Sequence, residues 1–152
     1  MTAASDDIPQ GFARHFRTSP ATDPWEPLFS KVGDKQVVLG MRIRSAHCNS
    51  KGFLHGGVLS ALADNAMGLS AIQAANAVGL RRARAGVTLN LGIDFLSTGG
   101  IGQWLEVVPR VLKVGRSIAF VDCVVSADGN AVARASASFR VFSADEPDQM
   151  RG

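Results

Sequence analysis

The sequence predicts an α+β fold in which an antiparallel sheet wraps around one long helix. Two strand-like segments precede an alanine-rich helical segment at about residues 56–76, and four more strand-like segments follow it. Strands joined by short turns form antiparallel sheets, and a lone amphipathic helix buries its apolar face against such a sheet. We therefore expect the last four strands to form a meander around the helix.

The N-terminal part is predicted to contain a short helical turn and a β-hairpin. Residues 11–17 are expected to form an amphipathic turn of helix, and the three prolines of residues 18–27 favour an irregular connection. The runs 28–32 and 36–44 flank the turn residues 33–35, which is typical of a hairpin. Alternation in the second run places its odd-numbered residues on the inner face.

The helical segment carries one broad apolar stripe. Its apolar residues recur at helical spacing, at Leu59, Leu62, Ala63, Ala66, Leu69 and Ile72. Ala61, Gly68 and Ala71 are small, so we expect a second surface to approach the helix closely on their side.

Beyond the helix, a basic loop at residues 79–85 leads into the second half. The predicted strands span residues 86–96, 103–114, 117–127 and 130–142, all rich in β-branched and apolar residues. Asp128-Gly129 is a strong hairpin signal before the last strand. Pro109 indicates an edge or a bulge in the second of these strands.

Length and composition limit the possible functions. The chain of 152 residues suits one domain spanning residues 1–152, with flexible tails expected at 1–10 and 144–152. A net charge of +3 is compatible with a polyanionic ligand, but we find no zinc-finger spacing and no RNA-binding aromatic motif. We therefore expect no nucleic-acid partner. Because Cys48 and Cys123 are the only cysteines, we also expect no metal site.

The sequence favours a cytoplasmic protein without a membrane partner. Residues 1–10 lack a basic start and an apolar core, so we expect no secretory signal. Asp64, Asn65 and Gln73 interrupt the best apolar run, which therefore does not read as a membrane span. The two cysteines read as free thiols, which a reducing compartment preserves.

The strongest chemical signal lies where a polar loop meets the helix. His55 is followed by Gly56 and Gly57, which have no Cβ to shield their N–H groups. The first N–H groups of a helix have no internal acceptor and lie at the positive end of its dipole. Such a terminus can bind an anion, or an oxygen that becomes negative during a reaction. The alternative is that both glycines only shape the turn.

Asp64 is the second signal, because it falls in the middle of the apolar helix. Carboxylates in such positions are rare unless they are paired or functional. Asp64 is therefore either a reacting carboxylate or a buried one that bonds to a neighbouring backbone group.

Asn49, Gly52, His55, Gly56, Gly57 and Asp64 together resemble the signature of the hotdog-fold thioesterases of the phenylacetyl-CoA and acyl-CoA type, known as PaaI-like. Two later segments strengthen the resemblance. Residues 86–96 are similar to the strand that opens the second half of that family, and residues 113–120 to its following turn and strand. The resemblance covers roughly residues 28–142. It implies hydrolysis of an acyl-CoA thioester by a homodimer or a dimer of dimers.

The resemblance also implies a role for each candidate catalytic residue. Asp64 would be the general base or the nucleophile, and the N–H of Gly56 would stabilise the developing oxyanion. His55 would position the loop. Thr88 matches a hydroxyl that orients water in relatives, although a threonine in a strand is otherwise ordinary. Asn49 would hold the attacking water or only cap the loop.

For the substrate, the resemblance implies acyl-CoA and no cofactor beyond the CoA that the substrate itself carries. Candidate substrate-binding residues are Gly57, Arg81, Arg82, Lys113 and Arg116. The arginines could contact CoA phosphates through bidentate geometry. A solvated surface position is an equal alternative for each of the four basic residues.

Helix geometry places the two main catalytic groups on different subunits. A helix rises about 1.5 Å per residue, so Gly56 and Asp64 lie about 12 Å apart along its axis. Reacting atoms must approach to about 3 Å. One helix therefore cannot bring both groups to one carbonyl, whereas two antiparallel helices across a two-fold axis can form two equivalent sites.

Three other functions fit parts of the sequence. A hotdog hydratase or dehydratase would pair a histidine with an acid, and a non-catalytic acyl-CoA binder would bind without turnover. Adjacent His47 and Cys48 suggest a cysteine nucleophile, but neighbours in a strand point to opposite faces, so adjacency alone does not indicate a catalytic pair.

Overall fold

The structure is a computed structural model that describes residues 7–79 and 82–146. In these residues it contains one α-helix and seven β-strands. The helix α1 spans Gly56–Ala77, and short 3-10 turns span Asp23–Trp25 and Ser45–His47. The strands are β1 Ala13–Arg14, β2 Phe29–Val32, β3 Val37–Arg42, β4 Ala83–Phe95, β5 Trp104–Val114, β6 Ile118–Ala127 and β7 Asn130–Ser143.

The described strands form one antiparallel sheet around α1, which confirms the predicted fold class. The strand order is β1-β2-β3-β5-β6-β7-β4. The helix packs against β3, β4, β5, β6 and β7, so it lies across the inner face of the sheet. The core between them is built from aliphatic and small side chains of both layers.

The predicted four-strand meander is wrong in one pairing. β5, β6 and β7 do follow one another in the sheet, but β4 pairs with β7 and lies at the far edge. The connection between β4 and β5 is a crossover rather than a turn. It pairs with the segment before the helix, where the Leu54 N–H donates to the Gly99 carbonyl and Phe53 bridges to Gly100. The chain thus passes the start of α1 and enters β5 beside β3.

The segment 11–17 is not a helical turn, because tertiary packing overrides its amphipathic pattern. Its residues include the edge strand β1, which pairs with β2. The Phe12 ring packs edge-on against Trp104 at 5.2 Å between centroids. Both rings cover Gly40, where a Cβ would overlap them. This cover buries Val38 and Gly40, so β3 is buried on both faces rather than only at its odd-numbered residues.

The helix is confirmed, and the sheet surrounds most of its circumference. Its buried residues include the predicted stripe except for Ile72, which is partly buried, and also Val58, Met67 and Ala74. The close approach predicted at Gly68 occurs inside the chain, because a Cβ there would lie 3.2 Å from the Phe139 ring. Ala71 is fully buried, whereas Ala61 is only half-buried.

The strands of the second half lie close to their predicted positions. β4 begins at Ala83, so residues 83–85 of the predicted basic loop belong to the strand instead. Arg81 lies outside the described residues. The edge or bulge that Pro109 indicates in β5 is confirmed. β3 pairs with β5 only up to Val107, and a register shift follows between Val111 and Lys113.

Parts of both predicted tails contact the rest of the chain. The Arg42 guanidinium donates a 2.7 Å hydrogen bond to the carbonyl of Asp7, and Arg140 lies 3.5 Å from the Glu146 carboxylate. Residues 1–6 and 147–152 lie outside the described residues. Within the described ranges, no helix has the length and apolar character needed to cross a membrane.

Candidate active site

His55 caps the N-terminus of α1. Its backbone is extended, and its Nδ1 accepts a 2.9 Å hydrogen bond from the N–H of Gly57. The His55 N–H in turn donates to the carbonyl of His47 at 2.9 Å, which fixes the entry of the chain into the helix. The ring therefore holds the helix terminus in place.

The N–H groups of Gly56 and Gly57 differ in their hydrogen bonding. The N–H of Gly57 is engaged by His55, so it cannot bind substrate unless that hydrogen bond breaks. The N–H of Gly56 has no acceptor among the described residues. Because this donor lies at the positive end of a helix of 22 residues, it is available to an oxygen that becomes negative.

Asp64 and Thr88 are joined by a short hydrogen bond. The Thr88 hydroxyl donates to Asp64 Oδ1 at 2.6 Å, across the contact between α1 and β4. The Asp64 side chain is half-buried, and its Oδ2 has no hydrogen-bond partner within the described part of the chain. One carboxylate oxygen is thus fixed, while the other can accept a proton.

The Gly56 N–H and the Asp64 carboxylate do not meet within one chain. Gly56 and Asp64 stand eight positions apart on the same straight helix, which separates them by about 12 Å along its axis. Each chain therefore presents two separate half-sites, an N–H donor at the start of α1 and a carboxylate two turns further along.

Both half-sites lie along the free edge of the sheet. β4 bonds to β7 on one side only, and its other edge has no partner strand among the described residues. Large apolar side chains on and beside this strand are exposed, namely Val87, Leu89, Phe95 and Leu96. A long apolar strand with an open edge is a template for pairing with another chain.

Asn49 stabilises the loop that leads to the helix. Its Oδ1 accepts hydrogen bonds from the N–H groups of Lys51 at 3.0 Å and Phe53 at 3.2 Å. Of the two roles predicted for Asn49, the structure shows the loop cap. A contact with water stays a prediction.

The basic candidates lie at the end of the sheet opposite the helix N-terminus. The Arg82 carbonyl accepts from Ala144 just beyond β7, and the Ser117 carbonyl accepts from Val141 in β7, which brings the two basic loops together. The side chains of Arg82, Lys113 and Arg116 are exposed, and none forms a salt bridge with a described carboxylate. Arg81 cannot be placed, because it lies outside the described residues.

His47 and Cys48 do not form a catalytic pair. The His47 ring is buried, with Nδ1 accepting from the Arg44 N–H and Nε2 lying 3.0 Å from the Trp25 carbonyl. Because a carbonyl only accepts, Nε2 carries the proton, and burial lowers the pKa of the ring. The Cys48 thiol bonds to the Arg44 carbonyl, and burial raises its pKa. Through these hydrogen bonds, both residues stabilise the loop that precedes α1.

Phe95 also belongs to this region, although it was not among the residues predicted from the sequence. Its ring lies against Gly56, where a Cβ would be 3.2 Å from Cζ and 3.3 Å from Cε1. The two residues are far apart in sequence and belong to different elements, and nothing in the local pattern signals their contact.

Comparison with known proteins identifies relatives of this fold and site. The sequence pattern of the thioesterase superfamily matches residues 51–134. A Pseudomonas aeruginosa protein named as a candidate esterase is 37% identical over 136 residues, which cover 89% of this chain and 98% of that protein. Human acyl-coenzyme A thioesterase 13 is 29% identical over 101 residues, which cover 65% of this chain and 68% of that protein.

A solved structure extends the comparison to three dimensions. It is a hypothetical thioesterase of Streptococcus pneumoniae, determined with coenzyme A, and it has a TM-score of 0.68 and 26% sequence identity. The superposition covers 78% of this chain and 91% of that chain. The superfamily match contains the helix start, Asp64 and Thr88, so the shared region includes both half-sites.

Proposed function

The chain belongs to the thioesterase superfamily and has its hotdog fold, and on that premise we propose that it hydrolyses acyl-CoA thioesters to a free acid and CoA. The observation that carries the proposal is the pair of half-sites, the N–H of Gly56 and the Oδ2 of Asp64, neither of which has a hydrogen-bond partner among the described residues. These are the two groups that hydrolysis of a thioester requires. Acyl-CoA follows from the relatives, one named an acyl-coenzyme A thioesterase and one solved with coenzyme A.

The active unit is a two-fold assembly in which β4 edges pair. Exposed apolar side chains along β4 would be buried by such pairing, and the sheet would continue across the axis. Antiparallel helices then bring Gly56 of one subunit to Asp64 of the partner subunit. Each dimer has two such sites. A dimer of dimers is the larger assembly that the resemblance implies.

Hydrolysis begins when the Gly56 N–H hydrogen-bonds the thioester carbonyl oxygen. As general base, Asp64 takes a proton from water, whose oxygen bonds to the carbonyl carbon. The tetrahedral intermediate then breaks its C–S bond, and the CoA thiolate takes the proton back from Asp64. As nucleophile, Asp64 would instead bond to the carbonyl carbon and expel the CoA thiolate, which takes a proton from solvent. Water then hydrolyses the resulting anhydride to the free acid and the Asp64 carboxylate. The Thr88 hydroxyl orients the carboxylate in either route.

The basic end of the sheet is proposed to bind the nucleotide part of CoA. Lys113 at the end of β5 and Arg116 in the turn that follows are exposed and form no salt bridge within the described residues, and Arg82 lies on the neighbouring loop. Phosphate groups are their natural counterions. The reaction uses no cofactor beyond the CoA of its substrate. A cytoplasmic location stays a prediction based on the free thiols Cys48 and Cys123.

A thiol-release assay tests the proposed function. The protein is incubated with phenylacetyl-, benzoyl-, hexanoyl- and palmitoyl-CoA in the presence of a thiol reagent. We expect release with at least one substrate and a loss of about 10²–10⁴-fold in kcat for Asp64→Ala and Asp64→Asn. Asp94→Asn is the matched control, because Asp94 is an exposed carboxylate on the same strand as Thr88, where it pairs with Arg134.

Three outcomes would contradict the proposal. Saturable binding of acyl-CoA without thiol release would indicate a non-catalytic binder. Unchanged turnover in folded Asp64→Ala protein would remove the carboxylate from the mechanism, and consumption of an enoyl-CoA by hydration would point to a hydratase.

A further inference from the structure

The Phe95 ring packs directly against Gly56, whose N–H is the proposed oxyanion donor. Three ring carbons lie 3.2, 3.3 and 3.8 Å from the position that a Cβ on Gly56 would occupy. Any larger residue at position 56 would push the ring aside. Phe95 ends β4 and is 56% exposed, so one side of the ring contacts the helix and the rest faces the edge where the site forms.

This position brings the ring close to the reacting carbonyl. The N–H and Cα of Gly56 are one bond apart, about 1.5 Å. A carbonyl oxygen bound to that N–H would lie about 2.9 Å from the nitrogen. The acyl carbons next to such a carbonyl are therefore close enough to the ring to reach van der Waals contact with it.

We infer that Phe95 is a specificity-determining residue that selects against acyl groups branched at the α-carbon. The inference rests on the proposed function and concerns the same site. A methyl group on the α-carbon adds volume beside the carbonyl, and on the Gly56 side that volume is filled by the ring. An unbranched chain presents only hydrogens there and passes along the flat face of the ring.

Contact with Gly56 limits the movement of the Phe95 ring, so the ring restricts the space beside the carbonyl. A side chain that is free on all sides would turn away from a branched substrate at little cost. Here the ring rests against backbone, so it cannot retreat toward the helix. A single methyl group in a shaped pocket changes kcat/KM by about 10–200-fold, and the exposed outer edge of Phe95 favours the low end of that range.

The test compares substrate pairs that differ by one α-methyl group. Butyryl-CoA is compared with 2-methylbutyryl-CoA, and hexanoyl-CoA with 2-methylhexanoyl-CoA, by thiol release with wild type, Phe95→Ala and Phe95→Leu. We expect Phe95→Ala to raise the branched-to-unbranched ratio of kcat/KM about tenfold. Phe95→Leu should fall between it and wild type.

Phe120→Ala is the matched control for this comparison. Phe120 is 46% exposed and lies on β6, a strand that does not pair with β4. The same loss of a ring there should leave the ratio unchanged. Thermal unfolding confirms that each variant is folded.

The outcomes separate this inference from the proposed function. A raised ratio in Phe95→Ala with an unchanged ratio in Phe120→Ala supports it. An unchanged ratio in Phe95→Ala would overturn it, even if all rates fall together, because the ring would then contact the pantetheine arm or no part of the substrate. Absence of thiol release by wild type would overturn the proposed function and the inference with it.

Discussion

The hydroxyl of Thr88 donates a 2.6 Å hydrogen bond to Oδ1 of Asp64, and it reaches that oxygen from the edge strand β4 rather than from the helix. The carboxylate is therefore held between two elements. Its free Oδ2 is the oxygen available to water or to a carbonyl carbon. The orientation of that oxygen depends on Thr88, so strand and helix act together at this half-site.

Removal of the Thr88 hydroxyl should lower turnover without preventing substrate binding. In Thr88→Val the carboxylate loses its fixed partner, and misplacement of a reacting group by about 1 Å can reduce the rate about 10²-fold. We expect kcat to fall about 10–100-fold while KM changes little. Thr88→Ser retains the hydroxyl and should remain close to wild type. Loss of turnover in Thr88→Ser with wild-type turnover in Thr88→Val would show that the methyl group, not the hydroxyl, matters.

Charge reversal in the basic turn should weaken binding of the nucleotide part of CoA. Lys113→Glu or Arg116→Glu should raise KM for an acyl-CoA several-fold, by about 1 kcal/mol for each lost phosphate contact. The same variants should leave KM for the matching acyl-pantetheine thioester unchanged. Lys31→Glu, on β2, is the control for charge reversal of an exposed lysine. Equal effects on both substrates would place the turn away from the phosphates.

Acid should destabilise the fold through two buried histidines. Burial lowers the pKa of His47, although the Trp25 carbonyl opposes the shift, and burial also lowers the pKa of His15. Because the unfolded chain binds protons more readily, the neutral rings stabilise the fold fully above about pH 6.5 and progressively less below it. We expect Tm to fall between pH 7 and pH 5.

The variant His47→Gln identifies the group responsible. It should have a lower Tm than wild type at pH 8, because the acceptor for the Arg44 N–H changes, but a smaller loss of Tm on acidification. A loss equal to that of wild type would assign the acid sensitivity to other groups. His15→Gln tests the second ring in the same way.

The elements with strong local signals could be predicted from the sequence. The helix starts at Gly56 as predicted, because a polar loop, a capping residue and an apolar run coincide there. The hairpin of β2 and β3 and the later strands were likewise visible as alternating or continuous apolar runs. Asp64 was identifiable as a candidate because a carboxylate is costly in an apolar helix.

Features that depend on distant contacts could not be predicted. Residues 11–17 have a pattern that suits either a helix or a covered strand, and only the rings of Phe12 and Trp104 decide between them. β4 pairs with β7 because the chain crosses over between β4 and β5. A prediction in which short turns join neighbouring strands does not include such a connection. Phe95 contacts Gly56 although the two residues are far apart in the sequence, and no periodic pattern of residues links them.

We propose that Gly56 and Asp64 act on one carbonyl from different subunits, and this arrangement can be tested by mixing two inactive variants. Asp64→Ala removes the carboxylate, and Gly56→Pro removes the N–H at a helix position that tolerates proline. The exposed Phe95 ring can shift to admit the proline ring. In a mixed dimer, one site combines intact Gly56 with intact Asp64 of the partner subunit, and the other carries both defects.

We predict that activity recovers toward half of the wild-type value per mixed dimer once the subunits have exchanged. Each variant alone should stay inactive under the same conditions. Native mass spectrometry measures the fraction of mixed dimers, so recovered activity can be compared with that fraction. No recovery despite confirmed exchange would contradict the account, because both groups would then act within a single chain.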